Sequence, residues 1–330
     1  MRCLARLVIA AAVTGSLVAS LAGAADDTGE IARRSFAVSG RAALTVDSDL
    51  GAIEVVTADA PSIVVVVAYD GRDVSRRALD RFLEQFKVDF EQRGDSVTVT
   101  GRRPKGTGGL FTWHENPHVT FRITLPKRAD VDLATGGGSI SVDGLDGKAR
   151  VRTSGGSLSI GRVTGPVWGR TSGGSIALTA SNGDADLETS GGGIRIGDVG
   201  GNVRADTSGG SIEIERAAGT VTAHTSGGSI HVEASTGAVD ATTSGGSVEA
   251  SITGQPKGDC RLSTSGGSVT VRLAATVAVE IDARGNRVKC DLPVTVSGAI
   301  ERGRLKGTIN GGGPLLELHT SGGTIRIEKL

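Results

Sequence analysis

The sequence TSGGSI occupies residues 207–212 and recurs letter for letter at residues 171–176 and 225–230. Close copies begin at residues 135, 153, 189, 243, 264 and 320. From Thr135 to Thr243 successive copies start 18 residues apart, the next copy starts 21 residues later, and the last follows a long gap. A fixed period of this length is typical of repeat architectures, in which each unit packs only against its neighbours.

Apolar and polar residues alternate on both sides of each copy. Val221 and Ala223 precede the copy that starts at Thr225, and Ile230 and Val232 follow its glycines. Alternation with a period of two indicates a β-strand with one buried face. We therefore predict two short strands in each unit, joined at a Gly-Gly corner and closed by a looser turn.

A single unit of this kind cannot bury its apolar face alone. Units stacked at the inter-strand spacing of about 4.8 Å would share one apolar interior. The sequence thus predicts an all-β protein, a parallel β-solenoid with about 18 residues per coil. We expect the glycines to supply backbone angles that other residues resist and to let successive corners stack closely. The repeated Thr and Ser residues are expected to form hydroxyl ladders along the corner.

Degenerate coils extend the pattern beyond the regular copies. Residues 44–55 and 279–290 fit the same template, which predicts one continuous domain from about residue 36 to 330. Within it, residues 131–330 form the repeat region, and residues 25–130 hold the first coil with N-terminal capping strands. A short helix is predicted at residues 74–86, capped by Asp73. The glycine-rich stretch 101–117 is predicted to be a mobile loop. The last coil is expected to be open, with Glu328 and Lys329 guarding its edge.

The first 24 residues predict export. Arg2 and Arg6 precede an apolar run, and small residues at Ala22 and Ala24 follow it, which is the pattern of a signal peptide cleaved after Ala24. A transmembrane anchor is the alternative, but the run is short and diluted by alanine and glycine. We expect an exported protein without a transmembrane segment in its mature chain, located in the periplasm, at the cell envelope or outside the cell.

Composition narrows the choice of partners. The chain holds 36 basic and 36 acidic residues, so its net charge favours no nucleic-acid partner. After removal of Cys3 two cysteines remain, Cys260 and Cys290, and export permits a disulfide between them without requiring one. Neither a metal site nor a cofactor site is predicted, because no ligand set with suitable spacing occurs.

The repeated phrase also resembles a known family. Its 18-residue spacing, together with the closing run GTINGGGPL at residues 307–315, resembles the bacterial "putative adhesin" family, a β-solenoid domain of unknown function. The resemblance implies a secreted or envelope-associated repeat protein without enzymatic activity. Envelope glycans or surface proteins are the partners that we expect. It implies no catalytic residues.

One group of outward-facing residues is a candidate binding site. It will be called the basic patch and consists of Arg150, Arg152, Trp168 and Arg170. Trp168 would stack on a sugar ring while the arginines pair with the acids of an anionic glycan or a phosphate-bearing polymer. The alternative is an ordinary solvated sheet face, on which basic residues pair with acidic residues such as Asp186 and Glu188 from neighbouring coils.

A second group is acidic. The acidic patch consists of Glu213, Glu215, Glu233 and Glu249. Glu215 and Glu233 are expected about 5 Å apart, the carboxylate separation of retaining glycosidases, so a polysaccharide hydrolase or lyase is the alternative function. Flat strands without a cleft would not desolvate either carboxyl group, and we therefore predict a protein that is not an enzyme. A purely structural envelope scaffold is the third possibility.

Overall fold

The computed structural model describes residues 28–72, 74–103, 117–297 and 303–330. The predicted signal peptide, Asp73 and most of the predicted loop at 101–117 lie outside the described residues. The described chain forms strands in two long sheets and a single helix, α1, at Arg76–Gln85.

Sheet A contains 14 strands and sheet B contains 15. The strands of sheet A are β1 (Thr28–Ala37), β3 (Ala52–Ala58), β4 (Ser62–Asp70), β7 (His118–Pro126), β9 (Ile140–Val142), β11 (Leu158–Val163), β13 (Ile176–Ser181), β15 (Ile194–Val199), β17 (Ile212–Ala217), β19 (Ile230–Ser235), β21 (Val248–Ile252), β23 (Val269–Leu273), β25 (Arg287–Cys290) and β29 (Thr324–Lys329). The strands of sheet B are β2 (Ala42–Ser48), β5 (Lys87–Arg93), β6 (Ser96–Arg102), β8 (Ala129–Thr135), β10 (Ala149–Thr153), β12 (Val167–Thr171), β14 (Ala185–Thr189), β16 (Val203–Asp206), β18 (Val221–Thr225), β20 (Val239–Thr243), β22 (Cys260–Thr264), β24 (Val279–Arg284), β26 (Thr295–Val296), β27 (Arg304–Ile309) and β28 (Leu315–Thr320).

Each repeat contributes one strand to each sheet. In sheet B, Val203 of β16 is in register with Val221 of β18, and in sheet A, Ile212 of β17 is in register with Ile230 of β19. The inward residues of these strands are almost completely buried, and one hydrophobic cluster runs from Val38 to Ile327. The predicted parallel β-solenoid is confirmed.

Backbone hydrogen bonds hold successive corners together. The Thr225 hydroxyl donates to the carbonyl oxygen of Gly210 in the preceding coil, at 2.8 Å, and accepts from the N–H of Gly228 at 3.4 Å. The N–H of Ser229 donates to Ser211 Oγ at 3.2 Å. The expected ladders therefore exist, but their hydroxyls bond to backbone groups of the same and the neighbouring coils rather than to each other.

The second glycine of each corner is required for space. A Cβ atom at Gly156 would lie closer than 3.0 Å to the backbone of Gly138 in the preceding coil. Among the corner glycines of the described coils only Gly51 and Gly138 have a positive φ, at 104° and 114°. The prediction that the glycines supply unusual backbone angles is wrong for the other corners, where close stacking is the reason for glycine.

The N-terminal cap is inserted into the repeat. Strands β2 and β3 form the first coil and pair directly with β8 and β9 of the second, although residues 59–128 separate the two coils in sequence. The inserted strands β6 and β7 pair with the outer side of the first coil. The predicted helix is confirmed, but its N-cap is Ser75, whose Oγ accepts from the N–H of Ala78, instead of Asp73. Phe86 joins the helix to the core through an edge contact with Phe121.

The C-terminal cap is inserted in the same way. Strands β28 and β29, the last in the chain, pair with β22 and β23 on one side and with β24 and β25 on the other. The described strands between β23 and β28, β24 to β27, therefore cover the final coil, and their insertion explains the long gap before the last copy. The predicted open C-terminal coil is wrong, and Glu328 and Lys329 do not lie on an edge strand.

The NGGGP run at residues 310–314 makes this arrangement possible. It carries the chain from β27 to β28, which lie on opposite sides of β24. Asn310 has a φ of 52°, and its side-chain amide donates to the carbonyl oxygens of Ala275 and Val277. A Cβ atom at Gly313 would collide with the carbonyl of Ala278.

Asp282 is the centre of an ion-pair cluster in the C-terminal cap. Its side chain is only 15% exposed and lies 2.7 Å from Arg284 and 3.1 Å from Lys306. Burial acts to raise the pKa of the Asp282 carboxyl, but hydrogen bonds from Lys306 and Arg284 bring it below its ordinary value. A depressed pKa stabilises the folded state above the ordinary aspartate pKa of about 3.9, and this contribution is lost as the pH falls through the folded value.

We expect Asp282→Asn to lower the free energy of unfolding by about 1–2 kcal/mol at neutral pH. Urea unfolding followed by circular dichroism from neutral to acidic pH measures this difference. The free energies of unfolding of the native protein and the variant should become equal below the ordinary aspartate pKa. Glu280→Gln, on the exposed side of the same strand, is the matched control. A constant difference across the whole pH range would contradict this role of the carboxylate.

Both cysteines in the described part of the chain are free thiols. Cys260 is buried in sheet B and Cys290 is half-buried in sheet A. Burial raises the pKa of both thiols. The disulfide that export would permit is not formed in this structure.

Candidate functional site

The structure brings the four residues of the basic patch together. Strands β10 and β12 are parallel neighbours, with Arg150 in register with Trp168 and Arg152 in register with Arg170. The Arg150 guanidinium lies 5.3 Å from the centroid of the Trp168 ring, within the range of a cation–π contact. The aromatic ring is therefore held by a neighbouring side chain on the outer face of sheet B.

Ion pairs between coils engage the other two arginines. Arg152 lies 3.7 Å from Asp132, and Arg170 lies 3.3 Å from Glu188. The arginine side chains are 56% and 65% exposed, and ion pairs this exposed stabilise a fold by little. The pairing expected of an ordinary solvated face is thus present. Exchanging Glu188 for a carboxylate from a ligand would cost little, whereas the Asp132 Oδ1 that faces Arg152 is buried and accepts no hydrogen bond.

A groove runs along the corner beside the basic patch. It will be called the corner groove and has a volume of about 540 Å³. Arg152, Arg170 and Glu188 line it from the strands, and the exposed serines Ser154 and Ser172 line it from the corner itself. Guanidinium groups and hydroxyls in one groove suit a ligand that carries both carboxylates and hydroxyls.

Sequence reasoning missed the corner groove. Its outward row runs Asp47, Ala134, Arg152 and Arg170 across four neighbouring coils, so the small Ala134 side chain leaves space between longer neighbours. The sequence signal for this groove was Ala134, which stands at the position where the next two coils carry Arg152 and Arg170. Asp47 lies far away in the sequence, and only the pairing of β2 with β8 brings it to the groove.

The acidic patch lies on the outer face of sheet A, where two of its carboxylates are neutralised. Glu213 pairs with Arg195 at 2.7 Å, and Glu249 pairs with Arg272. His231 lies between them in register, 3.5 Å from Glu249.

The other two acidic-patch residues follow the register pair Ile214 and Val232, so they occupy neighbouring positions on β17 and β19. These two residues are Glu215 and Glu233, and both are exposed. Two further grooves in the described part of the chain have volumes of about 400 and 660 Å³. No residue of the acidic patch lines either of these grooves or the corner groove. The structure therefore places the proposed glycosidase pair on an open sheet face.

The described residues contain neither a candidate metal site nor a helix that could span a membrane. Within the four described ranges, no three or more histidine, cysteine or acidic side chains are grouped closely enough to hold a metal ion. No described helix is long and apolar enough to cross a membrane.

Comparison with known proteins gives one family and several solved structures. The model of the family described as Toastrack DUF4097 matches residues 56–328. No curated protein matches the chain. A "putative adhesin" from Parabacteroides distasonis is 14% identical, covers 91% of this chain and 96% of its own, and has a TM-score of 0.40. A "putative adhesin" from Parabacteroides merdae is 11% identical, with coverages of 90% and 95% and a TM-score of 0.35. A "putative cell adhesion protein" from Clostridium sporogenes is 11% identical, with coverages of 91% and 99% and a TM-score of 0.22.

Proposed function

Because this chain belongs to the Toastrack DUF4097 family, whose model spans most of its solenoid, we propose that it is an exported, non-enzymatic, adhesin-like binding element of the cell envelope. Its ligand is an acidic glycan, bound at the basic patch and the adjoining corner groove. The solenoid serves as a rigid support that holds these side chains on the ends of regular strands.

The observation that carries this proposal is the position of Arg152 and Arg170 in the wall of the corner groove. A guanidinium binds a carboxylate through two parallel hydrogen bonds, and two guanidiniums in register on adjacent strands offer this twice along the solenoid axis. The present partner of Arg170, Glu188, is an exposed carboxylate, which a ligand can replace at little cost. Trp168 adds an apolar surface beside them for a sugar ring.

The arrangement of the acidic patch favours binding over catalysis. A glycosidase needs one carboxylic acid with a raised pKa, which requires burial or a close like charge. Glu215 and Glu233 are exposed, and Arg216 follows Glu215 on the same strand. Both carboxylates lie on an open sheet face without a cleft that would hold a sugar ring and exclude water.

We expect the variant Arg152→Ala, Trp168→Ala, Arg170→Ala to bind an acidic glycan at least about tenfold more weakly than the native protein, because it lacks both carboxylate-binding groups. A glycan and envelope-polymer array identifies the ligand, and biolayer interferometry with immobilised polyuronate measures the affinity. Arg326→Ala, an exposed arginine on sheet A, is the matched control and should leave binding unchanged. Equal binding by native protein and variant would contradict the assignment of this binding site. Absence of binding by both would favour a structural scaffold.

A further inference from the structure

The nine copies of the repeated phrase form an alignment within one chain. Every copy has the same fold around it, so a residue that recurs at one position should have a structural reason that the geometry shows. For most positions that reason is visible. The threonine is buried and bonds to the preceding coil, and the second glycine leaves no room for a Cβ atom.

The first serine of the phrase has no such reason. It occurs in eight of the nine copies, with Gly136 in its place in the first copy. All eight serines are exposed, and none of their hydroxyls makes a hydrogen bond within the described part of the chain. They are Ser154, Ser172, Ser190, Ser208, Ser226, Ser244, Ser265 and Ser321.

The last serine of the phrase is an informative contrast. It accepts a backbone hydrogen bond from the next coil, as Ser211 does from the N–H of Ser229. Yet it occurs in only seven of the nine copies, since Gly193 and Thr324 replace it. The exposed serine without a partner therefore recurs more strictly than the serine that stabilises the stack.

Exposure near the corner does not by itself fix the residue type. The outward position just before each threonine carries seven different residue types in the nine copies. These residues are Ala134, Arg152, Arg170, Glu188, Asp206, His224, Thr242, Ser263 and His319. Serine is thus retained where a variable surface residue would be tolerated by the fold.

The eight serines form a straight row, which will be called the serine track. Consecutive members belong to hydrogen-bonded neighbours, because the N–H of Gly173 donates to the carbonyl oxygen of Ser154 and the N–H of Gly191 to that of Ser172. At an inter-strand spacing of about 4.8 Å, the track is about 34 Å long and parallel to the solenoid axis. Its first three hydroxyls, at Ser154, Ser172 and Ser190, line the corner groove that contains Arg152 and Arg170.

We infer that the serine track is the extended binding surface for a linear acidic polysaccharide, which lies along the corner and is anchored by its carboxylates in the corner groove. A hydroxyl donates one hydrogen bond and accepts two, so a row of unpartnered hydroxyls matches the donors and acceptors of successive sugar rings. Each hydrogen bond to a serine is weak, but repeated hydrogen bonds along one polysaccharide chain raise its affinity without any further contact in the corner groove. The inference rests on the proposed function and adds the ligand's direction and length.

Oligosaccharides of different length test it. The probes are a uronate trimer, which is long enough for the groove, a uronate octamer, which covers the track, and a neutral glucose octamer, which lacks the carboxylates. The track variant carries Ser226→Ala, Ser244→Ala and Ser265→Ala, all outside the groove lining. Its matched control carries Ser141→Ala and Ser159→Ala on the outer face of sheet A. Calorimetric titration gives each affinity.

We expect the uronate octamer to bind native protein at least about tenfold more tightly than the trimer, and the glucose octamer to bind more weakly than either. The track variant should lose most of the octamer's advantage and keep its trimer affinity, whereas the control should match native protein. Equal affinities of trimer and octamer, or an octamer indifferent to the track variant, would overturn the inference and leave the proposed function standing. Absence of uronate binding to native protein would overturn both.

Stability supplies an independent check on the structural alternative, in which serine recurs because it favours turns. We expect the track variant to unfold at the same temperature as the native protein, since exposed substitutions without partners change stability little. A clear fall in its unfolding temperature would assign the serines to the fold and overturn the inference.

Discussion

Gly156→Ala is expected to destabilise the solenoid by about 3 kcal/mol, because the new methyl group would collide with backbone atoms of Gly138 that cannot rotate away. The adjacent substitution, Gly155→Ala, is the matched control. A Cβ atom there would meet its nearest neighbour, the Gly137 Cα, only at 4.0 Å, so the control should change stability little. Neither glycine has a positive φ, which removes backbone strain from the comparison.

Denaturant unfolding followed by circular dichroism measures both glycine variants. The large difference between neighbouring glycines is specific to corners that stack in register. Equal effects at the two positions would mean that the coils are not stacked as described.

Removal of residues 315–330 is expected to detach the C-terminal cap. These residues fill the space between the coil of β22 and β23 and the coil of β24 and β25. They bury four aliphatic side chains completely, which at about 1.5–3 kcal/mol each amounts to at least about 6 kcal/mol. The four are Leu316, Leu318, Ile325 and Ile327.

Hydrogen–deuterium exchange measures the effect of this deletion. Amides of β24 and β27 should lose protection in the shortened protein, while amides near β14 and β16 keep theirs. Removal of Leu330 alone is the control and should change protection little, since this exposed residue outside the strands contributes one backbone hydrogen bond, from its N–H to the carbonyl oxygen of Leu273. Retained protection in β24 would show that this strand packs on β22 without the last coil.

The solenoid could be predicted from the periodicity of the sequence because the physical cause of its strands and corners is local. Alternating residues such as Val221 and Ala223 determine which face of a strand is buried, and the repeated corner determines where the chain turns. These features need no knowledge of distant pairing. The same reasoning found the helix, although the N-cap is Ser75, two residues beyond the predicted one.

Long-range pairing explains what sequence reasoning missed. The C-terminal cap was misplaced because β28 pairs with β22 across an insertion that carries no repeat signal of its own. The shared phrase at Thr264 and Thr320 was the available signal, since two corners of one type stack best on each other. The corner groove was missed for a similar reason, as Ala134, Asp47 and Arg152 meet only in the folded sheet.

In the candidate site, too, the features that follow from local periodicity were predictable and the one that depends on several coils was not. Arg150, Arg152, Trp168 and Arg170 were correctly placed on one face because they share a strand position in adjacent coils. The ion pair of Arg170 with Glu188 follows from the register of β12 and β14, whereas Arg152 pairs diagonally with Asp132, which is in register with Arg150. The corner groove beside them depends on the relative sizes of side chains from four coils. The sequence of a single strand does not show how these sizes combine.

The most direct test of the proposed function is a crystal structure of the protein soaked with the uronate octamer. We expect the oligosaccharide to lie along the corner, with one carboxylate bound by Arg152 or Arg170 and successive rings over Ser172, Ser190 and Ser208. An oligosaccharide bound instead across Glu215 and Glu233, or crystals without bound sugar at saturating concentration, would contradict it.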